Sequence, residues 1–284
     1  MGDCGQSDTA RAIRTACLWE VTARKVGNVH RGADFVGTTY LDFVLSAGEV
    51  AEPLTNGNGI GLKILSAVQA TSRVAKSNTN LGIILLLAPL ATESLDRTLE
   101  QLSQDDARHA FEAIRLANPG GLGDAPEQDV HCEPTVTLLE AMRLAADRDL
   151  IARQYANGFA DVLDFGVPAF LDAWQRFGTI EAAIVDLQFR WLAAHPDSLI
   201  VRKRGLAVAE EVQSRAVDAL NRGGIATPEG RRAGVALDRH LRSDGNSLNP
   251  GTTADLIAAC LFVALRETKV KPTDPFCWPT DDWL

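Results

Sequence analysis

The chain has 284 residues, 46% of them hydrophobic, 23% charged and only 6% aromatic, with a formal net charge of −9. That length and apolar content can build one large core or two ordinary ones, and the Ala- and Leu-rich composition favours helix over sheet. The acidic balance argues against a general nucleic-acid binder, whose affinity rests on neutralising phosphates, but a small phosphorylated ligand needs only a local basic cluster.

Helical spacing recurs along the whole chain. Residues 9–23 place Ile13, Cys17 and Val21 on one stripe. Helices follow at 36–50 and, after the turn signal NGNGIG, at 60–76. The segment 79–92 is apolar from Leu81 to Ala91, with Pro89 marking its last turn or a kink. Those eleven residues are about half of the roughly 20 needed to cross a bilayer, and the start MGDCGQSDTA lacks the parts of a signal peptide. Helices continue at 105–117, 134–146, 148–164 and 168–194, with breaks near Gly158, Gly166 and Gly178, then at 198–221, 228–241 and 253–268. Residues 269–284 form a Pro-rich tail. Period-two alternation is absent. The expectation is one all-α domain over 1–284 with about ten to twelve helices. Five scattered cysteines without CxxC or zinc spacing read as reduced thiols in a cytoplasmic protein.

Polar residues gather at breaks between helices. In EVTARKVGNVHRGADF, Glu20 follows Cys17 by three residues and shares its buried stripe, where a carboxylate needs a partner or a metal. Arg24, Lys25, His30 and Arg31 come next, then Asp34 at the start of a helix; a basic helix end and an N-capping Asp are the simpler account. Asn78, Thr79 and Asn80 precede the apolar helix. One of them suffices as a cap, and spare amides there suit an anion or hydroxyl, so both readings stay open.

The stretch NPGGLGDAPEQDV combines glycines such as Gly121, which allow close backbone approach to a ligand, with the acids Asp124, Glu127 and Asp129. It suits magnesium or general-base work, or a solvated loop; it is neither a P-loop nor a Rossmann turn. Arg202, Lys203 and Arg204 are a second basic cluster, a charged turn or a phosphate grip. In the last cluster Thr252 and Asp255 fit a capping box, while Asp238 and His240 before them are less easily explained by one.

In order, EVTARKVGNVHRGADF, NTNLGIILLLAPLA, GGLGDA, DSLIVRKRG and NPGTTADLIA resemble the triphosphoribosyl-dephospho-coenzyme A synthase family over roughly residues 10–268. The resemblance implies an all-helical fold. It also implies a pentosyltransferase that moves the 5-triphosphoribosyl group of ATP onto a hydroxyl of dephospho-coenzyme A, releases adenine, and supplies a prosthetic-group precursor for acyl carrier proteins. The chain departs from citrate-lyase-type members in its early motif and at Asp124, where they carry glutamate. It therefore looks like a divergent branch. The alternatives are ribosyl transfer to another acceptor in cofactor biosynthesis and a non-catalytic nucleotide-binding module.

Displacement at an anomeric carbon requires a base for the hydroxyl, a proton for the purine and a cationic clamp on the triphosphate. By resemblance, Asp124, Asp238 and Glu20 are the candidate catalytic residues. Arg24, Lys25, His30, Arg31, Asn78, Thr79, Asn80, Gly121, Arg202 and Arg204 are the candidate ATP and phosphate contacts. Glu20, Asp34, Asp124 and Asp255 are the candidate Mg²⁺ ligands. The expected partners are ATP and dephospho-coenzyme A or a related acceptor, with no nucleic acid and no membrane; a homodimer is left open.

Overall fold

The computed structural model describes residues 2–75, 79–119 and 127–284. The first helices are α1 (Gly2–Thr22), α2 (Tyr40–Thr55), α3 (Ile60–Ser72) and α4 (Leu81–Leu90). Then come α5 (Leu95–Glu100), α6 (Gln104–Ala117), α7 (Leu138–Ala145) and α8 (Leu150–Ala156). A π-helical stretch, Asp161–Gly166, runs directly into α9 (Val167–Phe177). The chain continues through α10 (Ile180–Ala194), α11 (Ser198–Arg204), α12 (Leu206–Asn221), α13 (Pro228–Leu241) and α14 (Gly251–Arg266). No strand occurs among the described residues, and none of their helices is long and apolar enough to cross a membrane. Cys17, Cys132, Cys260 and Cys277 are free thiols.

The all-α class is as expected, and the helix count exceeds the expected range for local reasons. Gly205, at φ 87°, splits the expected helix over 198–221 into α11 and α12, using backbone that glycine adopts freely. The six residues of α5 are too few to display a period. α2 starts at Tyr40 rather than at 36 because Thr39 and Asp42 form a reciprocal capping box. Residues 23–39 instead fold back on themselves through bridges between His30 and Ala33 and between Phe35 and Thr38.

Apolar all round, α4 and α14 lie at the centre of the main core. α10 has two apolar faces. Ala183, Ile184, Leu187 and Trp191 enter the main core, while Ala182, Val185, Phe189 and Leu192 enter a second core with α12, α13 and Trp283.

Between those faces α10 carries polar side chains that grip the loop after α1. Gln188 accepts from Val26 N and donates to Val26 O and to Asn28 Oδ1, each at 2.8 Å. Buried Glu181 accepts from Arg24 Nε, Arg31 Nη2 and Trp278 N, each at 2.9 Å. Arg24 also donates to the carbonyls of Trp278 and Leu284, and Trp283 Nε1 donates back to Arg24 O, so the Pro-rich tail closes over the loop. Burial by itself raises the Glu181 pKa, but the donated hydrogen bonds outweigh it and hold the group at about 2. His30, buried in the same loop, is lowered to about 3 by burial and by the charges of Lys25, Arg242, Arg31 and Arg24.

Both groups make the fold acid-sensitive. A histidine kept neutral contributes stability that is present above its unfolded pKa of 6.5 and lost as pH falls toward about 3. The depressed Glu181 contributes stability present above 4.5 and lost as pH falls toward about 2. Denaturant unfolding should therefore show stability declining below about pH 6.5 and more steeply below about 4.5. Glu181→Gln leaves two guanidiniums without a counter-charge and should cost about 3–5 kcal/mol at neutral pH. The variant should also lose the steep lower segment; an unchanged slope there contradicts this account of the loop.

Candidate active site

A cavity of about 960 Å³ opens where the N-terminal turns of α4 and α14 meet. The loop after α1, the facing sides of α6 and α7, the start of α8, and α11 complete its walls.

α4 enters this site without help from Thr79 or Asn80. Asn80 is only 2% exposed, makes no side-chain capping bond, and leaves its Nδ2 without a partner among the described residues. Thr79 lines the cavity and shares a 2.7 Å hydrogen bond with Ser46 Oγ. Neither supplies the cap, and Asn78, the other capping candidate, lies outside the described residues.

α14 starts at Gly251, so Thr252 and Asp255 do not form the expected capping box. Asp197 caps from outside. Its Oδ1 accepts from Leu199 N and Ile200 N at 2.9 and 3.2 Å, and its Oδ2 accepts from Thr253 N and Oγ1 at 2.7 and 2.8 Å. Asp255 is thereby left to face the cavity, half-buried, with no hydrogen bond or ion pair among the described residues. Gly82 in the first turn of α4 makes room for it, since a Cβ there would come within 2.0 Å of Asp255 Oδ2. Burial, then the negative charges of Glu20, Asp197 and Asp149, push the Asp255 pKa well above the ordinary carboxylate value, against a weaker pull from Arg202.

Glu20 has the partner its buried position demands. Lys25 Nζ lies 2.9 Å from its Oε1 and also donates to Glu20 O. Burial raises the Glu20 pKa and Lys25 opposes the rise. Glu20 reaches the cavity wall, whereas Lys25 is enclosed behind it. Across the cavity Asp149 caps α8 through Ile151 N at 2.8 Å and pairs with Arg202 Nη1 at 3.1 Å. Arg148 and Lys203 line the same wall.

Other expected site residues are engaged elsewhere in the fold. Arg24 and Arg31 are committed to Glu181, and His30 accepts from Gly32 N at 3.1 Å through Nδ1. Arg204 pairs with Asp244. Asp238, a candidate base, accepts from Gly27 N and Arg242 Nε at 2.8 Å each. None of these residues, nor Lys25 or Asn80, lines the cavity. Arg24, Lys25, His30, Arg31 and Asp238 build the loop instead, and each charged group among them already has a partner. Glu20, Thr79, Arg202 and Asp255 are the expected residues that the fold does bring together.

Of the expected Mg²⁺ ligands, Glu20 and Asp255 line the cavity. Asp34 is exposed and accepts from Tyr40 N at 2.7 Å, and Glu20 is bound to Lys25. Asp124, like Gly121, lies outside the described residues. Among those described, no three acidic, His or Cys side chains converge as metal ligands.

Gly82, Arg148 and Asp149 went unflagged in the sequence. Gly82 had a readable signal, because glycine inside an apolar helix costs about 1 kcal/mol against alanine and asks for a packing reason. Asp149 stands at an N-cap position ahead of a helix, but nothing in the sequence joins it to Arg202.

Comparison with known proteins agrees with this architecture. Residues 6–274 match the family model described as ATP:dephospho-CoA triphosphoribosyl transferase. A Vibrio cholerae protein named "Probable 2-(5''-triphosphoribosyl)-3'-dephosphocoenzyme-A synthase" is 30% identical over 228 residues, 77% of this chain and 68% of that protein. A Pseudomonas putida protein of the same name is 34% identical over 113 residues, 39% of this chain and 40% of its own. A crystal structure from Archaeoglobus fulgidus, bearing a triphosphoribosyl-dephospho-coA synthase name, superposes with a TM-score of 0.62 at 29% identity, covering 78% of this chain and 97% of that one. With the family match running over nearly its whole length, the chain belongs to the ATP:dephospho-CoA triphosphoribosyl transferase family.

Proposed function

We propose that the chain transfers the 5-triphosphoribosyl group of ATP to a hydroxyl of dephospho-coenzyme A and releases adenine. The observation that carries this reading is the unpaired Asp255 carboxylate, set in one cavity with the cations Arg148, Arg202 and Lys203. The acceptor oxygen attacks the anomeric carbon of the ATP ribose while the bond to the purine nitrogen breaks. Adenine leaves with the bonding electrons and takes up a proton from solvent, and the hydroxyl proton passes to Asp255, which later returns it to solvent. Charge builds on the ribose in an oxocarbenium-like transition state, which the neighbouring carboxylates Glu20 and Asp149 favour electrostatically. The cations hold the triphosphate, and the Thr79 and Thr252 hydroxyls on the same wall offer hydrogen bonds to ribose or phosphate oxygens.

Purified protein given ATP and Mg²⁺ should release adenine only when dephospho-coenzyme A is added, as followed by chromatography. Release without any acceptor would mark a nucleosidase, and no release with dephospho-coenzyme A would reject this acceptor.

Asp255→Asn should lower kcat by about 10²–10⁴-fold while leaving ATP binding within a few-fold, as loss of a positioned acid–base group does. Asp238→Asn should instead lower the melting temperature, because it loosens Gly27 and Arg242, with a much smaller effect on kcat. Normal turnover by the Asp255 variant would remove that residue from the mechanism.

A further inference from the structure

We infer that the apolar arm of the cavity between α6 and α7, with Asn118 at its mouth, is the subsite for the purine ring of ATP; this rests on the reaction proposed above. The lining changes character along the cavity. Helices pack around it in the order α6, α7, α8, then α8 against α4 and α14, and α14 against α11. The α11 end holds Arg202 and Lys203, and the α4–α14 junction holds Asp255, Thr79 and Thr252. The far end has an apolar wall built from Phe111, Ile114, Leu138, Ala141 and Met142, with Glu127, Gln128 and Asp129 also in the lining, on the segment that Arg115 of α6 holds through Val130 O.

A nucleotide has the matching order of parts. Its 5′-phosphates and its base project from opposite ends of the ribose. With the triphosphate on the α11 cations and the anomeric carbon beside Asp255, the base is directed into the α6–α7 arm. An uncharged aromatic ring gains from burial against Phe111 and the aliphatic wall, whereas the phosphates would lose their hydration there. Attack opposite the departing base then leaves the acceptor the side formed by the loop after α1, where Asn28, Phe35 and Thr38 line the cavity.

A buried purine edge also needs polar partners. Asn118 sits in left-handed backbone at φ 45°, directly after α6, and lines the cavity. Its side-chain amide has no partner among the described residues and can donate and accept at once. Nearby Gln128, by contrast, is occupied at both ends of its amide by Thr135.

Calorimetry with ATP and with ribose 5-triphosphate, which lacks the base, tests the subsite. The wild-type chain should bind ATP about tenfold or more tightly than ribose 5-triphosphate. Asn118→Gly, which keeps the left-handed backbone, and Met142→Trp, which fills the arm, should each shrink that ratio by about fivefold or more. In turnover both should raise the KM for ATP and leave the KM for dephospho-coenzyme A unchanged. Equal wild-type binding of the two triphosphates would overturn the inference. So would variants that raise only the acceptor KM, which would give the arm to the acceptor chain. Purine-dependent binding of ATP without adenine release would sink the proposed reaction and leave the subsite standing.

Discussion

The loop between α1 and α2 carries buried charge, and the structure depends on how α10 satisfies it. A stretch with Arg24, Lys25 and His30 could not be packed inside unless each polar group found a partner, since an unpaired buried charge costs several kcal/mol. α10 supplies Glu181 and Gln188, α1 supplies Glu20, and α13 supplies Asp238. The loop is thereby fixed in a shape that sends Asn28, Val29, Phe35 and Thr38 to the cavity and turns its cations away from it. The C-terminal tail joins the same arrangement through Trp278 and Trp283.

A second constraint is the division of labour between two aspartates. Helix N-termini need acceptors for their free N–H groups, and the nearest acid usually provides one. Here Asp197 serves α11 and α14 together, a role open to it because their first turns lie side by side. Asp255 is freed from capping and keeps its oxygens for the cavity. Its neighbour Gly82 shows the same economy of space, a missing methyl where the Asp255 carboxylate lies against α4.

Both central helices join an apolar body to a polar head. The bodies fill the core, and because α4 and α14 pack against each other their heads meet at one end. A site built this way sits on rigid elements, which suits a reaction that requires the attacking oxygen, the anomeric carbon and the departing base to be held in line.

Much of this was legible from the residues in order. Helical period, composition and turn signals establish an all-α chain, and the ordered motifs carry the family and place Glu20, Thr79, Arg202 and Asp255 among the candidates. These features are local: a period, a cap or a motif is a relation between residues a few positions apart. Which of the polar residues face a ligand was not legible, because that depends on partners far away in the chain. Arg24 and Glu181 are 157 positions apart, and Gly27 and Asp238 are 211 apart. Sequence alone made Arg24, Arg31 and Asp238 as good candidates as Arg202 and Asp255. Only the tertiary structure separated them, by pairing the first group with counter-charges away from the cavity and leaving Asp255 unpaired at its wall.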